Sequence, residues 1–357
     1  MNFEFSEEQD LLREQAQGFL QDNSPLSVVR RVLNGDEPYD AGLWQKVSEM
    51  GWTATVIPEE YEGLGLSYLE LSVIAEELGR SLAPIPFSSS VYLATEAILL
   101  AGTEDQKSKY LPKLANGSII GCFAVSETAG HTTPAGIATT GNDGLNGSKV
   151  PVADGDIADF AIVVARADTG DGATAYIVEL NQDGVARESV ETLDPSRSHA
   201  SLTFSNASAE QLGNEGEGWS LVQQVYDRAA VLFAWEQVGG AQVCLDMAKE
   251  YAMGRFAFGR PIASFQAIKH KLAHAYVKNT LARSNCYYGA WALSTGAPEL
   301  PIAAATARVS AIQAYYYAAK ENIQTHGGMG FTWEFDCQFP YRRSKILATN
   351  IGSEAIW

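Results

Sequence analysis

Cysteine is scarce in this 357-residue chain, with only Cys122, Cys244, Cys286 and Cys337 and no CxxC pair. That excludes a disulfide-stapled scaffold and the usual spacing of a zinc site. Basic residues are few as well. Twenty-five Lys plus Arg stand against 43 Asp plus Glu, and the formal charge of −18 opposes sequence-independent binding to nucleic acid or anionic lipid. Long apolar runs are missing: none approaches the ~18 residues that span a bilayer, and the most apolar stretch, Val91 to Ala101, is interrupted by Glu96. The opening MNFEFSEEQD lacks a charged-then-apolar leader pattern, which with the unpaired cysteines predicts a reducing cytoplasm. Of five histidines, His270 and His274 are four apart on a helical pattern and His326 lies farther on; no third ligand joins the pair, so no metal site is expected.

What is present is apolar periodicity. At 46% hydrophobic residues the chain can build large cores divided among two or three domains. Residues 1–119 read as a helical domain: Leu11, Leu12, Ala16 and Phe19 recur at helical spacing behind Ser6 and Gln9, a capping-box pair. Leu43 to Met50 and Tyr68 to Leu78 repeat the pattern around a Pro- and Gly-rich loop at residues 57–65. Residues 120–212 change to short β-branched runs, FAIVVA at 160–165, TAYIVEL at 174–180 and ASLTF at 200–204, with Leu145-Asn146-Gly147 as a hairpin-type turn signal. They predict a small β-barrel or sandwich. Helical periodicity returns over 213–357, so the fold class is α+β.

Tyr226 to Lys269 organises the C-terminal part. Ala241, Leu245, Ala248 and Ala252 form one stripe of a helix. Gly239 and Gly240 inside it would cost about 1 kcal/mol each against Ala in a free helix, which makes sense where another backbone packs closely. A turn with Arg255, Phe258, Gly259 and Arg260 follows, an anion-binding candidate, before a helix expected from Ser264.

Arg255-Phe256-Ala257-Phe258-Gly259-Arg260-Pro261-Ile262 with Phe265-Gln266-Ala267-Ile268, and then Gln324-Thr325-His326-Gly327-Gly328-Met329-Gly330-Phe331, resemble the RxxFGxxI…FQxI and QxxGGxGF signatures of the acyl-CoA dehydrogenase family. Gln106-Lys107 through Gly117 is similar to that family's QKxxYLPxLAxG entry to the middle domain, and segment order matches over nearly the whole chain. The resemblance implies an N-terminal helical domain (1–119), a middle β-barrel domain (120–212) and a C-terminal four-helix bundle (213–357). It also implies FAD, an acyl-CoA substrate, a tetramer with itself or a paralogous subunit, and an electron-transfer flavoprotein as acceptor. The loop at 57–65 would lie near the acyl region or be a plain turn.

Residue by residue, the resemblance gives Val125 and Ser126 to the isoalloxazine face and Thr132 to a phosphate. Arg255, Phe258, Gln266, Gln324, Gly327 and Gly328 go to the adenosine diphosphate half of a flavin held mainly by the neighbouring subunit. Arg255 would supply a charged fork for pyrophosphate, and the glycines would admit backbone N–H groups. Asp227 matches an aspartate that contacts the adenine end of coenzyme A. Departures fall in the chain's own β half: Pro151 replaces the shielding tryptophan and Ala153 the flavin-bonding threonine.

The family's proton acceptor is absent from both places that carry it. Ile351 occupies the C-terminal loop position and Ala229 the helix position, so the catalytic base is unknown. Glu236 is seven residues beyond Ala229, about 10 Å along a helix, and reads better as a structural carboxylate; Glu354 would need a register shift. Four readings stand: a base-lacking short subunit of a heterotetrameric, steroid-type acyl-CoA dehydrogenase; a self-sufficient homotetramer with a non-standard base; a non-catalytic assembly subunit; or another flavin reaction on this fold, such as nitroalkane oxidation or monooxygenation.

Overall fold

A computed structural model describes residues 5–35, 37–128, 130, 132–141, 144–166 and 172–357. Helices come first: α1 (Glu7–Asn23), α2 (Leu26–Asn34), α3 (Ala41–Glu49), α4 (Tyr68–Ser81), α5 (Glu96–Ala101) and α6 (Glu104–Ala115). Strands follow: β1 (Gly121–Ala124), β2 (Leu145–Ala153), β3 (Phe160–Arg166), β4 (Ala173–Glu179), β5 (Val185–Ser189), β6 (His199–Ala207) and β7 (Glu210–Leu212). Then come α7 (Gly218–Gly254), a hairpin of β8 (Phe256–Ala257) and β9 (Arg260–Pro261), α8 (Gln266–Thr295), α9 (Leu300–His326) and α10 (Gln338–Leu347).

Local chemistry sets the helix starts. Ser6 accepts from the Gln9 N–H while the Gln9 side chain accepts from the Ser6 N–H, as the sequence predicts. Thr103 and Gln106 repeat the device at α6. Helix α8 begins two residues later than expected from Ser264. Residues Ile262–Ser264 form a 3₁₀ turn closed by Ser264 Oγ on the Pro261 carbonyl at 2.7 Å, and Phe265 is extended.

Two sheets form, ordered β1-β3-β4-β7 and β2-β6-β5. Strand β3 is buried at every position except Arg166, the continuous apolar run of a strand covered on both faces. The hairpin turn expected at Leu145-Asn146-Gly147 does not form; these residues open β2, paired with Ala207, Ser205 and Phe204. Gly147 serves close approach instead, because at φ 138° a Cβ there would stand 2.8 Å from Thr139 Cα. Farther along β2 a register shift between Lys149 and Val152 takes Pro151, which has no N–H, out of the ladder.

The chain divides into two compact units, Met1–Asn34 with Tyr68–Ala83 and Ala230–Trp357, and Gly35–Ser67 with Pro84–Ala229. In the first, α4 crosses α7 at backbone distance: a Cβ on Gly79 would fall 1.9 Å from the Glu236 carbonyl oxygen, and one on Gly239 1.9 Å from that of Glu76. Gly240 makes room for the Tyr315 ring. The stripe Ala241, Leu245, Ala248 and Ala252 is buried. Charge is buried here too. Glu236 lies 3.9 Å from Arg343, and Arg308 donates to Gln237 at 2.7 Å and to the Leu347 carbonyl. Burial lowers the Arg308 pKa to about 9, a shift that the charge of Glu236 opposes. Among the described residues no helix is long and apolar enough to cross a membrane.

Candidate functional site

In the second unit, β1 delivers the segment that the resemblance assigns to a flavin ring. Val125 is buried and Ser126 half-buried, and both are held by backbone: the Val125 carbonyl accepts from Lys149 Nζ at 3.0 Å and the Ser126 carbonyl from the Val150 N–H at 2.8 Å. Lys149, fully buried, also donates to Glu127 at 2.7 Å. Glu127 in turn accepts the N–H groups of Ala138 at 2.7 Å and Thr139 at 3.0 Å. One lysine and one glutamate therefore tie Ala138 and Thr139, beyond the loop that follows β1, back to the end of that strand. Thr132 in that loop is half-buried; its neighbours Ala129 and His131 lie outside the described residues. This pair was missed from sequence because a Lys and a Glu 22 positions apart carry no spacing signal.

Electrostatics agree with the geometry. Burial by itself raises the Glu127 carboxyl, but the Lys149 hydrogen bond and those from Ala138 and Thr139 outweigh it and hold the group down at about 2. Burial lowers Lys149, and Glu127 opposes that. A carboxyl depressed in the fold contributes fully above its unfolded value near 4.5 and loses that contribution as pH falls through about 2. Amide protection at Ala138 and Thr139, measured against intrinsic exchange rates, should therefore weaken as pH falls from 4.5 to about 2. Lys149→Met should move that transition upward. An unmoved transition would show that Lys149 does not hold the loop.

Beside this segment, Asp154 is buried at φ 56°. Its carboxylate accepts from Ser89 at 2.5 Å, and Ser88 accepts from Arg197 at 2.8 Å. Burial raises the Asp154 pKa while Arg197, Ser89 and His199 oppose. The turn after Ala153 is thus tied to residues 65 positions away in the chain. Helix α7 begins in the same unit. There Asp227 is half-buried and accepts no hydrogen bond among the described residues; burial raises its pKa. Arg228 lies 3.6 Å from the fully buried Glu96.

The first unit carries the other half. Arg255 is exposed at the end of α7, with no carboxylate paired to it among the described residues. The β8–β9 hairpin behind it turns at Phe258 (φ 54°) and Gly259 (φ 77°), and Phe258 is 93% exposed. A positive φ on an aromatic residue is costly, and here it holds a bare ring out from the hairpin. Gln266 opens α8, and exposed Gln324 precedes Gly327 (φ 60°) and Gly328 at the end of α9; a Cβ on either glycine would meet nothing within 4 Å. Open backbone, an exposed guanidinium and an exposed ring fit a pyrophosphate and its adenosine. The β half fits a flavin ring less well, with Pro151 and Ala153 where a shielding indole and a hydroxyl would stand.

The other candidates separate on burial. His326 is packed: its ring stacks on Tyr251 at 4.1 Å, its Nδ1 gives a proton to the Asn322 carbonyl at 2.9 Å, and burial lowers its pKa. His270 and His274 are exposed, and among the described residues no group of three ligand-type side chains is placed for a metal. Ala229 is completely buried and Ile351 is 3% exposed. Glu236 faces Arg343 in the core, as a structural carboxylate would, and exposed Glu354 accepts from Gln313 at 2.5 Å.

Comparison with known proteins follows the same lines. Family models described as acyl-CoA dehydrogenase, N-terminal domain and C-terminal domain, match residues 6–118 and 216–357. The acyl-CoA dehydrogenase IpdE2 of Mycobacterium tuberculosis is 34% identical over 95% of this chain and 91% of its own length. Butyryl-CoA dehydrogenase from Megasphaera elsdenii superposes with a TM-score of 0.92 at 27% identity, covering 100% of this chain and 97% of that one. The Tcur3481–Tcur3483 steroid ACAD superposes at 0.88 with 26% identity, covering 98% and 95%. Signatures, fold and relatives converge: the chain belongs to the acyl-CoA dehydrogenase family.

Proposed function

We propose that this chain takes part in flavin-dependent α,β-dehydrogenation of an acyl-CoA thioester as the subunit that lacks the proton acceptor, within a tetramer that includes a paralogous chain. The observation that carries the reading is the contrast between two vacant base positions, Ala229 and Ile351, both buried, and an open, complete set for the adenosine diphosphate half at Arg255, Phe258, Gln266, Gln324, Gly327 and Gly328. Neither an alanine nor an isoleucine accepts a proton. FAD, when bound, supplies the hydride acceptor. Arg255 neutralises the pyrophosphate, the glycine backbone at 327–328 donates to it, and Phe258 covers the adenosine. Val125, Ser126 and Thr132 remain proposed contacts of this chain's own β half, and Asp227 of the coenzyme A end.

The Tcur3481–Tcur3483 steroid ACAD, named as a pair, supports a two-chain arrangement and a steroid-derived acyl group. Domain limits at 1–119, 120–212 and 213–357 are supported by family matches that stop at residue 118 and resume at 216. Four free, buried cysteines suit a reducing cytoplasm, and an electron-transfer flavoprotein is the proposed acceptor. The test is expression alone and with the paralogous chain, scored by flavin content and acyl-CoA-dependent reduction of an electron acceptor. Turnover only in the pair is expected. Turnover by the isolated chain would replace the proposal with a self-sufficient enzyme, and flavin in neither preparation would leave an assembly role.

A further inference from the structure

We infer that His326 is a positioning residue: its ring joins the end of α7 to the end of α9 and so sets the Arg255 guanidinium against the backbone of Gly327 and Gly328. This role rests on the reading of those three residues as holders of a pyrophosphate. What it adds is the device that spaces them.

In the first unit α7 and α9 run side by side in one direction. Gly240 makes room for the Tyr315 ring, the Asn322 amide donates to Met247 Sδ at 3.8 Å, and Tyr251 stacks on His326 with ring centroids 4.1 Å apart. Each step along α7, from 240 to 247 to 251, is matched by an equal step along α9, from 315 to 322 to 326. The two helices therefore end as neighbours. Arg255 is the first residue past α7, and its N–H donates to the Tyr251 carbonyl at 2.8 Å, while Gly327 follows His326 directly. The stack is thus the last of these contacts before the chain leaves each helix for the anion site.

His326 holds the turn that follows it as well. Phe335 completes a three-ring cluster, edge-on to His326 at 5.7 Å and to Tyr251 at 6.0 Å, and a Cβ on Gly330 would come 3.2 Å from His326 Cβ. The ring has little freedom. It is buried, and its Nδ1–H donates to the Asn322 carbonyl at 2.9 Å. Burial lowers its pKa, a shift that the Asn322 bond opposes, so at neutral pH it packs as an uncharged aromatic. Aromatic pairs prefer defined offsets and tilts, whereas charge-assisted hydrogen bonds weaken steeply with misplaced geometry. A site made from a side chain past one helix and backbone N–H groups past another depends on that spacing.

The test is FAD affinity of the assembled complex, freed of flavin and titrated with FAD, read by the change in flavin fluorescence. His326→Gln keeps a side-chain donor and loses the ring; it should weaken FAD about tenfold, the size of two lost ring contacts. His326→Phe keeps a ring without the donor and should stay within about twofold of wild type. In an Arg255→Ala background His326→Gln should cost less than about threefold, because a guanidinium that is gone cannot be misplaced. Should His326→Gln fail to assemble on gel filtration, Tyr251→Leu removes the other face of the stack and carries the same expectations. Three results would overturn the role: unchanged affinity in His326→Gln, His326→Phe as weak as His326→Gln, or equal losses from His326→Gln with and without Arg255. Arg255→Ala separates the two readings. If it leaves FAD affinity unchanged, the pyrophosphate site falls and this role with it; a weakened Arg255→Ala beside an unchanged His326→Gln overturns this role alone.

Discussion

Gly239→Ala is expected to lower the melting temperature by roughly 6 °C or more, corresponding to about 3 kcal/mol at the upper end of overpacking costs. The new Cβ would lie 1.9 Å from the Glu76 carbonyl oxygen and 2.9 Å from the Arg80 nitrogen. Both are backbone atoms, so no rotamer relieves the clash and α4 must move off α7. Gly79→Ala meets the reciprocal obstacle, the Glu236 carbonyl. Separating the helices for one methyl also makes room for the other, so the double variant should lose less than the sum of the singles. Gly18→Ala is the opposite case. It is exposed inside α1 with nothing within 4 Å of a Cβ, and should gain about 1 kcal/mol from helix propensity alone. Thermal melts of the four variants decide the matter; a Gly239→Ala protein melting with wild type would show that the two backbones do not touch.

Arg255→Ala should reduce flavin occupancy of the assembled complex at least tenfold, the size of one lost charge-assisted contact at about 1.5–3 kcal/mol. Arg255 is the exposed guanidinium at the end of α7, whereas Arg260, which pairs with Ala257 across the β8–β9 hairpin, lies over the Phe265 ring at 4.1 Å. With its guanidinium occupied by an aromatic face, Arg260→Ala should cost less flavin than Arg255→Ala. Arg255→Lys keeps the charge and loses the planar fork, so its occupancy should fall between those of wild type and alanine. The ratio of flavin absorbance to protein after gel filtration reads all three. Unchanged occupancy in Arg255→Ala would remove the anion role from this residue.

Legibility followed the range of the interaction. The Ser6–Gln9 cap and the buried stripe on α7 lie within a few residues of each other, and both are present in the structure. The glycines at 239 and 240 announced a close neighbour without naming it; the neighbours are the Glu76 carbonyl, far back in the chain on α4, and the Tyr315 ring. The turn signal at Leu145-Asn146-Gly147 misled because glycine at a close backbone approach and glycine in a hairpin look alike in sequence. Lys149 with Glu127, Ser89 with Asp154, and Arg283 with Glu76 had no sequence signature at all, since each pair is joined only by folding.

By itself the sequence determined the class of the protein, the order of its helical and β segments, the pair of signatures around Arg255 and Gly327, and the lack of a carboxylate at positions 229 and 351. Those are properties of local pattern and residue type, which survive without coordinates. Only the tertiary structure decided which backbones touch, which charges are buried together, and that Phe258 stands bare on its hairpin while Trp235 is fully buried. The physical reason is that burial and partner choice are set by contacts between residues tens to hundreds of positions apart, and periodicity carries no record of them.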